Sequence, residues 1–524
     1  MANVKKALYN VAVFLVSLFI TGSINVSNIK NTQDTSRVTL TVNETETLQE
    51  MNGWGAAAAW WAQVAGGSKN ADDIAKLLYS KEGLGLNIYR YNVGSGEKQN
   101  PNSRLDPDSW KSTASFLVYN EKTGKYEYDW SQDANAMNML KLCMSYGCID
   151  SVVLFSNSPH FSMTVSGQAS GGLKKHQNNL KPECYQEYVD YFLDITEHFL
   201  ELGVPVKYIS PINEPLVSWG GDNVYQEGCH YDEKEMFKLY RMFAKSIKER
   251  GLNVKMSMCE VSKIGNPAFE YIKKISKDEE LSSVMATYSY HSYWSDTNYL
   301  LKKAWGQYLR RYYPDVTVEM DEWCELPCHS TTRSISGART MARTICQDIM
   351  YSNATAWTSW VAVSEWGDNS DGLIIADHEC NEYYTAKRYN ALAHFSKFVP
   401  VGSKVISNEK DVNDRVAWKI KNQMGFVILN KTNCASFLTP DGSIVVVIVN
   451  DDAGCTSTSR ASAAETTSRY TPRMTSTISS SPTTESINRR SKSPVLASQR
   501  SYSADDTHSP AECRQNRTPP AVCR

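Results

Sequence analysis

Beyond a short stretch near the N-terminus, the 524-residue sequence has no apolar run long enough for a membrane-spanning helix, which excludes a multi-span helical membrane protein. It also lacks an excess of charge of either sign. Lys and Arg total 55 against 57 Asp and Glu, so no electrostatic footprint points to nucleic acid as a partner. Cysteine is present without organisation: the 13 residues are an odd number at irregular spacings, unlike a disulfide-stapled small domain. The closest pairs, Cys143 with Cys148 and Cys324 with Cys328, lack the further ligands of a zinc site, so neither a structural metal nor a cofactor is expected. From Asp451 to Arg524 there is no Trp or Phe and no sustained periodicity. Such a Ser-, Thr-, Arg- and Pro-rich composition cannot bury enough apolar surface to offset chain entropy, and residues 452–524 are read as a disordered tail. Either a stalk or a frame-shifted end that replaces the last strands of a β-sandwich fits this composition.

What is present begins with Lys5 and Lys6, an apolar run from Val11 to Ile20, and then Thr21, Gly22 and Ser23. That order of charge, apolar core and small residues is a secretory signal over 1–23, which predicts a secreted protein with no membrane attachment after cleavage; an uncleaved anchor is the alternative. Residues 36–50 contain an alternating strand (Val38, Leu40, Val42). Across 51–400, short β-branched segments alternate with amphipathic helical ones. Eight strands are placed, at 53–58, 86–93, 151–159, 206–215, 254–261, 285–293, 316–323 and 354–363, with helices between them such as 185–202, 233–250 and 332–351 and a last one over 382–398. Eight alternations predict an α/β fold, a closed (β/α)8 TIM barrel. Over 401–451 the pattern turns to strands and turns, which together with 36–50 predict a side β-sandwich built from both chain ends.

Barrel enzymes carry their chemistry at the C-terminal ends of the strands. Two carboxylates stand there: Glu214 in Ile212-Asn213-Glu214-Pro215, and Glu322 in Glu319-Met320-Asp321-Glu322-Trp323. An Asn-Glu-Pro triplet alone is a modest signal, because a carboxylate at a strand end is as often a salt-bridged loop residue. Paired carboxylates on strands four and seven would face each other across the barrel mouth, where one can protonate a glycosidic oxygen and the other meet the oxocarbenium-like carbon. Thirteen Trp and 29 Tyr supply flat rings of the kind that pack on sugar faces, although most such rings are core.

With these residues in view, the sequence resembles glycoside hydrolase family 30, and within it the endo-β-1,6-galactanase-like branch. The likeness rests on Asn52-Gly53-Trp54-Gly55 through Ala59-Trp60-Trp61-Ala62, on Gly83 through Asn92, on Ser156-Asn157-Ser158-Pro159, and on the two carboxylate segments. It implies a retaining β-glycosidase with Glu214 as acid/base and Glu322 as nucleophile, acting as a monomer on an oligo- or polysaccharide. Asn213 would bond the sugar 2-hydroxyl, and Arg90 would lower the Glu322 pKa and hold it ionised. Tyr293, just after His291, would orient Glu322. Trp360 would form the sugar platform, Trp54, Trp60 and Trp61 would line the cleft or support it, with a purely core place as the alternative for Trp60 or Trp61, and Asn157 would reach a substrate hydroxyl or cap a loop. Glu260 and Asp321 are expected behind the reacting pair. The chain departs from the family at His160-Phe161-Ser162-Met163, where a Trp-containing pattern is expected. Action on β-glucosides, β-xylans or β-fucosides, and a non-catalytic carbohydrate-binding protein, remain as alternatives. Asp368-Asn369-Ser370-Asp371-Gly372 opens like a calcium loop but lacks its bidentate Glu, and Asn43, Asn353 and Asn430 are glycosylation sequons whose use depends on the host.

Overall fold

The computed structural model describes residues 37–222, 225–326, 332–367, 371–419, 426–451, 456–462 and 477–478, all within one compact unit. Residues 1–23 lie outside them, as does Asp368-Asn369-Ser370. Eight parallel strands close into a barrel: β1 (Gly53–Ala57), β2 (Ile88–Asn92), β3 (Ser151–Phe155), β4 (Val206–Ser210), β5 (Lys255–Val261), β6 (Met285–His291), β7 (Val318–Trp323) and β8 (Ala356–Ser359). Each bonds to its neighbours in the chain, and β8 closes on β1. The strands form here because they are apolar on both faces; Ser-Val-Val-Leu-Phe of β3 is buried throughout, as a parallel strand between a barrel core and a helical shell must be. The helices are written as plainly. Glu233–Arg250 has Glu233 and Glu235 in its first turn, Lys248 and Arg250 in its last, and Gly251 at φ 65° to end it.

The eight barrel strands begin within two residues of the sequence reading, but β3 and β4 end earlier than expected, at Phe155 and Ser210. The hairpin of Leu117–Asn120 with Lys125–Tyr128 was not foreseen, and the start of the last helix differs. Tyr383–Thr385, expected as the start of the last helix, is a strand paired with Ile374–Ala376, and the helix is Lys387–Ser396. Tyr-Tyr-Thr favours a pleated surface over a helix.

Arg37–Glu50 pairs antiparallel with Lys404–Lys410, so the side domain is drawn from both chain ends. Its six-stranded sheet continues through Thr432–Leu438 and Ile444–Asn450, and a separate hairpin pairs Arg415–Lys419 with Phe426–Asn430. Alternation places Val445, Val447 and Val449 against the barrel side, where the sheet packs on helix Ile335–Tyr351. The expected disorder of 452–524 needs correcting over two segments: Thr456–Ser462 pairs in parallel with Arg37–Asn43, and Thr477–Ile478 with Ile448–Val449. An open sheet edge offers backbone hydrogen bonds that require no apolar side chains. The rest of the tail lies outside the described residues.

Behind the barrel, Asp348 is fully buried and accepts four bonds: from Lys302 Nζ (2.6 Å), Ser292 Oγ (2.7 Å), Tyr290 Oη (3.0 Å) and Trp357 Nε1 (3.1 Å). Tyr290 and Ser292 face this carboxylate while His291, between them, faces into the barrel, so the network fixes the end of β6. Removing one member of a buried ion pair strands the other charge. Asp348→Ala is expected to cost about 3 kcal/mol or more in urea unfolding; a loss under about 1 kcal/mol would show that Lys302 is satisfied without it.

Loops after β2 and β4 meet where Thr113 Oγ1 donates to the buried Glu227 at 2.7 Å. Burial raises the Glu227 pKa from 4.5 to about 8, against the bond from Thr113 and with help from Glu97. Burial likewise raises Asp133 and Glu319 to about 7. Acids whose folded pKa lies above the unfolded one stabilise the fold fully below the unfolded value and lose that contribution as pH rises through the folded value. Stability should therefore fall between pH 4.5 and 8, and Glu227→Gln should flatten that decline in melting temperature; an unaltered slope would contradict the assignment.

Candidate active site

Glu214 follows β4 by four residues, and its backbone has φ 43°, a left-handed conformation that is strained for a residue with a side chain. The strain is held by bonds from Glu214 N to Glu260 O (3.2 Å), from Val217 N (3.1 Å) and from Trp219 Nε1 (3.3 Å). Glu322 lies on β7, where the register slips between Met320 and Glu322 against β6. Such a bulge breaks the alternation of a strand. Asp321 and Glu322, neighbours in sequence, therefore both approach His291.

Oxygens of Glu214 and Glu322 and a nitrogen of His291 lie within 4.8 Å of one another. His291 Nδ1 is 3.0 Å from Glu214 Oε1 and 3.4 Å from Glu322 Oε1. Arg90, on β2, donates to Glu322 Oε2 at 2.8 Å, to Glu260 Oε2 at 2.6 Å and to Asn213 Oδ1 at 3.0 Å, with its guanidinium 3.7 Å from the centroid of the Phe155 ring. Tyr293 Oη donates to Glu322 Oε1 at 3.1 Å. Asn213 Nδ2 donates to Asn157 Oδ1 at 3.2 Å.

The charges balance in a particular way. Burial works against charge on Arg90, but Glu260, Glu322 and Asp321 outweigh it and keep the guanidinium charged. Burial would also lower the His291 pKa; Glu322, Glu214 and Glu260 reverse this and raise it well above its usual range, which makes it an imidazolium. Burial pushes Glu260 up, yet Arg90 and His291 more than offset this and hold it below the carboxylate range. Asp321 is pushed well up by burial and by Glu260. Burial also raises Glu322, with His291 and Arg90 pulling down and Glu214 and Glu260 pushing up. Arg90 lowers Glu322 as expected, but the guanidinium is shared with Glu260, and burial together with Glu214 and Glu260 leaves the net shift upward.

A cation could in principle be held by Glu214, His291 and Glu322 or by Glu260, His291 and Asp321. Arg90, within 2.8 Å of two of these carboxylates, already supplies positive charge there.

Glu214, Glu322, Tyr293 and Trp360 line one cleft of about 580 Å³, with Trp60, Trp110, Trp219, Trp294 and Trp366 around them. Trp60 stands edge-on to Trp360 at 5.2 Å. Trp54 and Trp61 do not belong to this wall. Trp54 donates to Val399 O and packs on Phe395, and Trp61 donates to Ala57 O, so both are core rings. Asn157, Asn213 and His291 are buried behind the cleft wall. Trp110 and Trp219 were not legible in the sequence because they sit on loops away from the barrel-strand ends, while Trp294, three residues beyond β6, and Trp366, directly after Val363–Glu365, were passed over in favour of Tyr293 and Trp360.

Residues 37–375 match O-glycosyl hydrolase family 30. An endo-β-1,6-galactanase of Hypocrea rufa is 25% identical over 437 residues, 77% of this chain and 83% of that one. An exo-β-1,6-galactobiohydrolase of Bifidobacterium longum is 27% identical over 267 residues, 41% of this chain and 17% of that one. Among solved structures, a conserved exported protein from Bacteroides fragilis superimposes with TM-score 0.67 at 23% identity, covering 79% of this chain and 90% of that chain, which shows a shared fold. The family match spans both cleft carboxylates and all but the end of the barrel, and the chain belongs to O-glycosyl hydrolase family 30.

Proposed function

We propose that the protein is a retaining β-glycosidase that cleaves β-1,6-linked galactan by double displacement. The observation that carries this reading is the approach of Glu214 and Glu322 oxygens to within 4.8 Å at the cleft floor. Retaining pairs stand roughly 5–5.5 Å apart and inverting pairs roughly 6.5–9.5 Å, the wider gap leaving room for water. Roles follow from the partners. Arg90 and the imidazolium of His291 bring two positive charges, of which Glu260 balances one, so one further carboxylate is matched. Arg90 and Tyr293 both donate to Glu322, which makes Glu322 the carboxylate and Glu214 the proton donor.

In the first step a Glu322 oxygen bonds to the anomeric carbon as its bond to the leaving oxygen breaks, and Glu214 gives that oxygen its proton. In the second, Glu214 takes a proton from water, the water oxygen bonds to the anomeric carbon, and the ester to Glu322 breaks. Galactan is favoured because the two curated relatives above carry β-1,6-galactan activities in their names. We further propose export, directed by residues 1–23.

The test is a product panel on β-1,6-galactan, β-1,6-glucan and glucuronoxylan, with the anomer first released followed by proton NMR. Galacto-oligosaccharides released as the β-anomer are expected. An α-anomer released first would overturn retention, and release from glucan or xylan alone would overturn the substrate.

A further inference from the structure

His291 is completely buried, yet each of its nitrogens faces two carboxyl groups. Nδ1 looks toward the reacting pair, 3.0 Å from Glu214 and 3.4 Å from Glu322; Nε2 looks the other way, 3.7 Å from both Glu260 Oε2 and Asp321 Oδ1. The lower layer is costly to build. Cys259 and Glu260 have φ of 85° and 39°, the register of β5 slips between Cys259 and Val261, and the bulge in β7 brings in Asp321. Strain of this kind persists where the surroundings fix it, and it clusters at working sites.

The two lower acids differ in what they receive. Glu260 accepts from Arg90 Nη2, from Ser210 Oγ and, at 3.3 Å, from Ser257 Oγ. Neither oxygen of Asp321 receives a donor within bonding distance among the described residues. A buried carboxylate with no donor beside a second carboxylate is strongly disfavoured, whereas a carboxylic acid there is itself a donor, with Glu260 within reach.

We propose that Asp321 is a positioning residue: as a carboxylic acid it donates to Glu260, and the carboxylate fixed in this way attracts the Nε2 side of the His291 imidazolium across 3.7 Å, without a hydrogen bond, so that Nδ1–H stays aimed at Glu214 and Glu322. This rests on the roles given above to those two glutamates. Charged groups face the pair from β2 (Arg90), β6 (His291) and β7 (Glu322), with Glu214 beyond the ring. Asp321 touches no reacting atom. A one-ångström error in the aim of the ring is enough to slow the chemistry by on the order of 10²-fold.

Two variants separate donation from charge. Asp321→Asn keeps the shape and an N–H donor, and it should retain most of the wild-type kcat. Asp321→Ala removes the donor and should lower kcat by on the order of 10²-fold with KM little changed; Asp321→Leu, which fills the space without a donor, replaces it if Ala does not fold. The second readout needs no substrate: ¹⁵N-histidine NMR should show His291 protonated on both nitrogens in wild type and in Asp321→Asn, with its signals shifted or exchange-broadened in the donor-free variant. Asn as damaging as Ala, or a donor-free variant with wild-type kcat or an unaltered His291 signal, would overturn the proposal. Wild-type protein inactive on every glycan tested would count against the assigned reaction, while the NMR comparison would still decide the role of Asp321.

Discussion

Glu322→Gln is expected to lower hydrolysis of an aryl β-galactoside by about 10⁴-fold, some 5.5 kcal/mol of transition-state stabilisation. The amide matches the carboxylate in size but cannot bond covalently to the anomeric carbon as a stable ester, and it meets two donors, Arg90 Nη1 at 2.8 Å and Tyr293 Oη at 3.1 Å, with only one acceptor atom. Both effects fall on the reaction more than on the fold, because Glu260 stays paired with Arg90 and, with the Glu322 charge that holds it protonated gone, His291 can release its proton and leave the site balanced. Melting temperature should therefore change far less than rate. A 2-fluoro-galactosyl reagent should add one sugar mass to wild-type protein on the peptide holding Glu322, and none to the variant. Unchanged turnover, or labelling on another residue, would remove Glu322 from its role.

Changing Glu214 to Gln should produce a loss that depends on the leaving group. With galactan, whose departing oxygen needs a proton, kcat should fall roughly 10²- to 10⁴-fold. A dinitrophenyl glycoside leaves without protonation, so its first step should proceed at close to the normal rate and the glycosyl-enzyme should accumulate as a burst. Added azide, which needs no general base, should then speed turnover and give a β-glycosyl azide. Equal losses on both substrates with no effect of azide would show that Glu214 contributes by position alone. The left-handed backbone at Glu214 makes the choice of variant matter: Gln tolerates the same conformation, whereas a β-branched residue there would confound chemistry with strain.

The barrel was legible because its strands are apolar runs separated by amphipathic helices, a signal that survives without any contact information. Glu214 and Glu322 could be read for a related reason, since each follows such a run. The second acid layer was legible only as a location. Alternation along β7 predicts Asp321 and Glu322 on opposite faces, and the slip that brings both to His291 leaves no mark in the sequence. The same limit applied to tryptophan. Trp54 and Trp61 sit in the family motifs yet are core, while Trp110 and Trp294 sit in loops whose path is set by tertiary packing, such as the bond from Trp110 Nε1 to His378 O. Thr456–Ser462 was missed because its pairing is made by backbone groups, to which composition is blind.

The pairing of Glu50 with Lys404 sets a timetable for synthesis. The Arg37–Glu50 segment leaves the ribosome early, but its antiparallel neighbour is made about 350 residues later, a delay of roughly 20–70 s at ordinary translation rates. Through that interval an alternating apolar strand has two open edges in a crowded cell, which is a hazard for misassociation. Yield of native enzyme should accordingly depend on chaperones and on the speed of translation more than the stability of the finished barrel would lead one to expect.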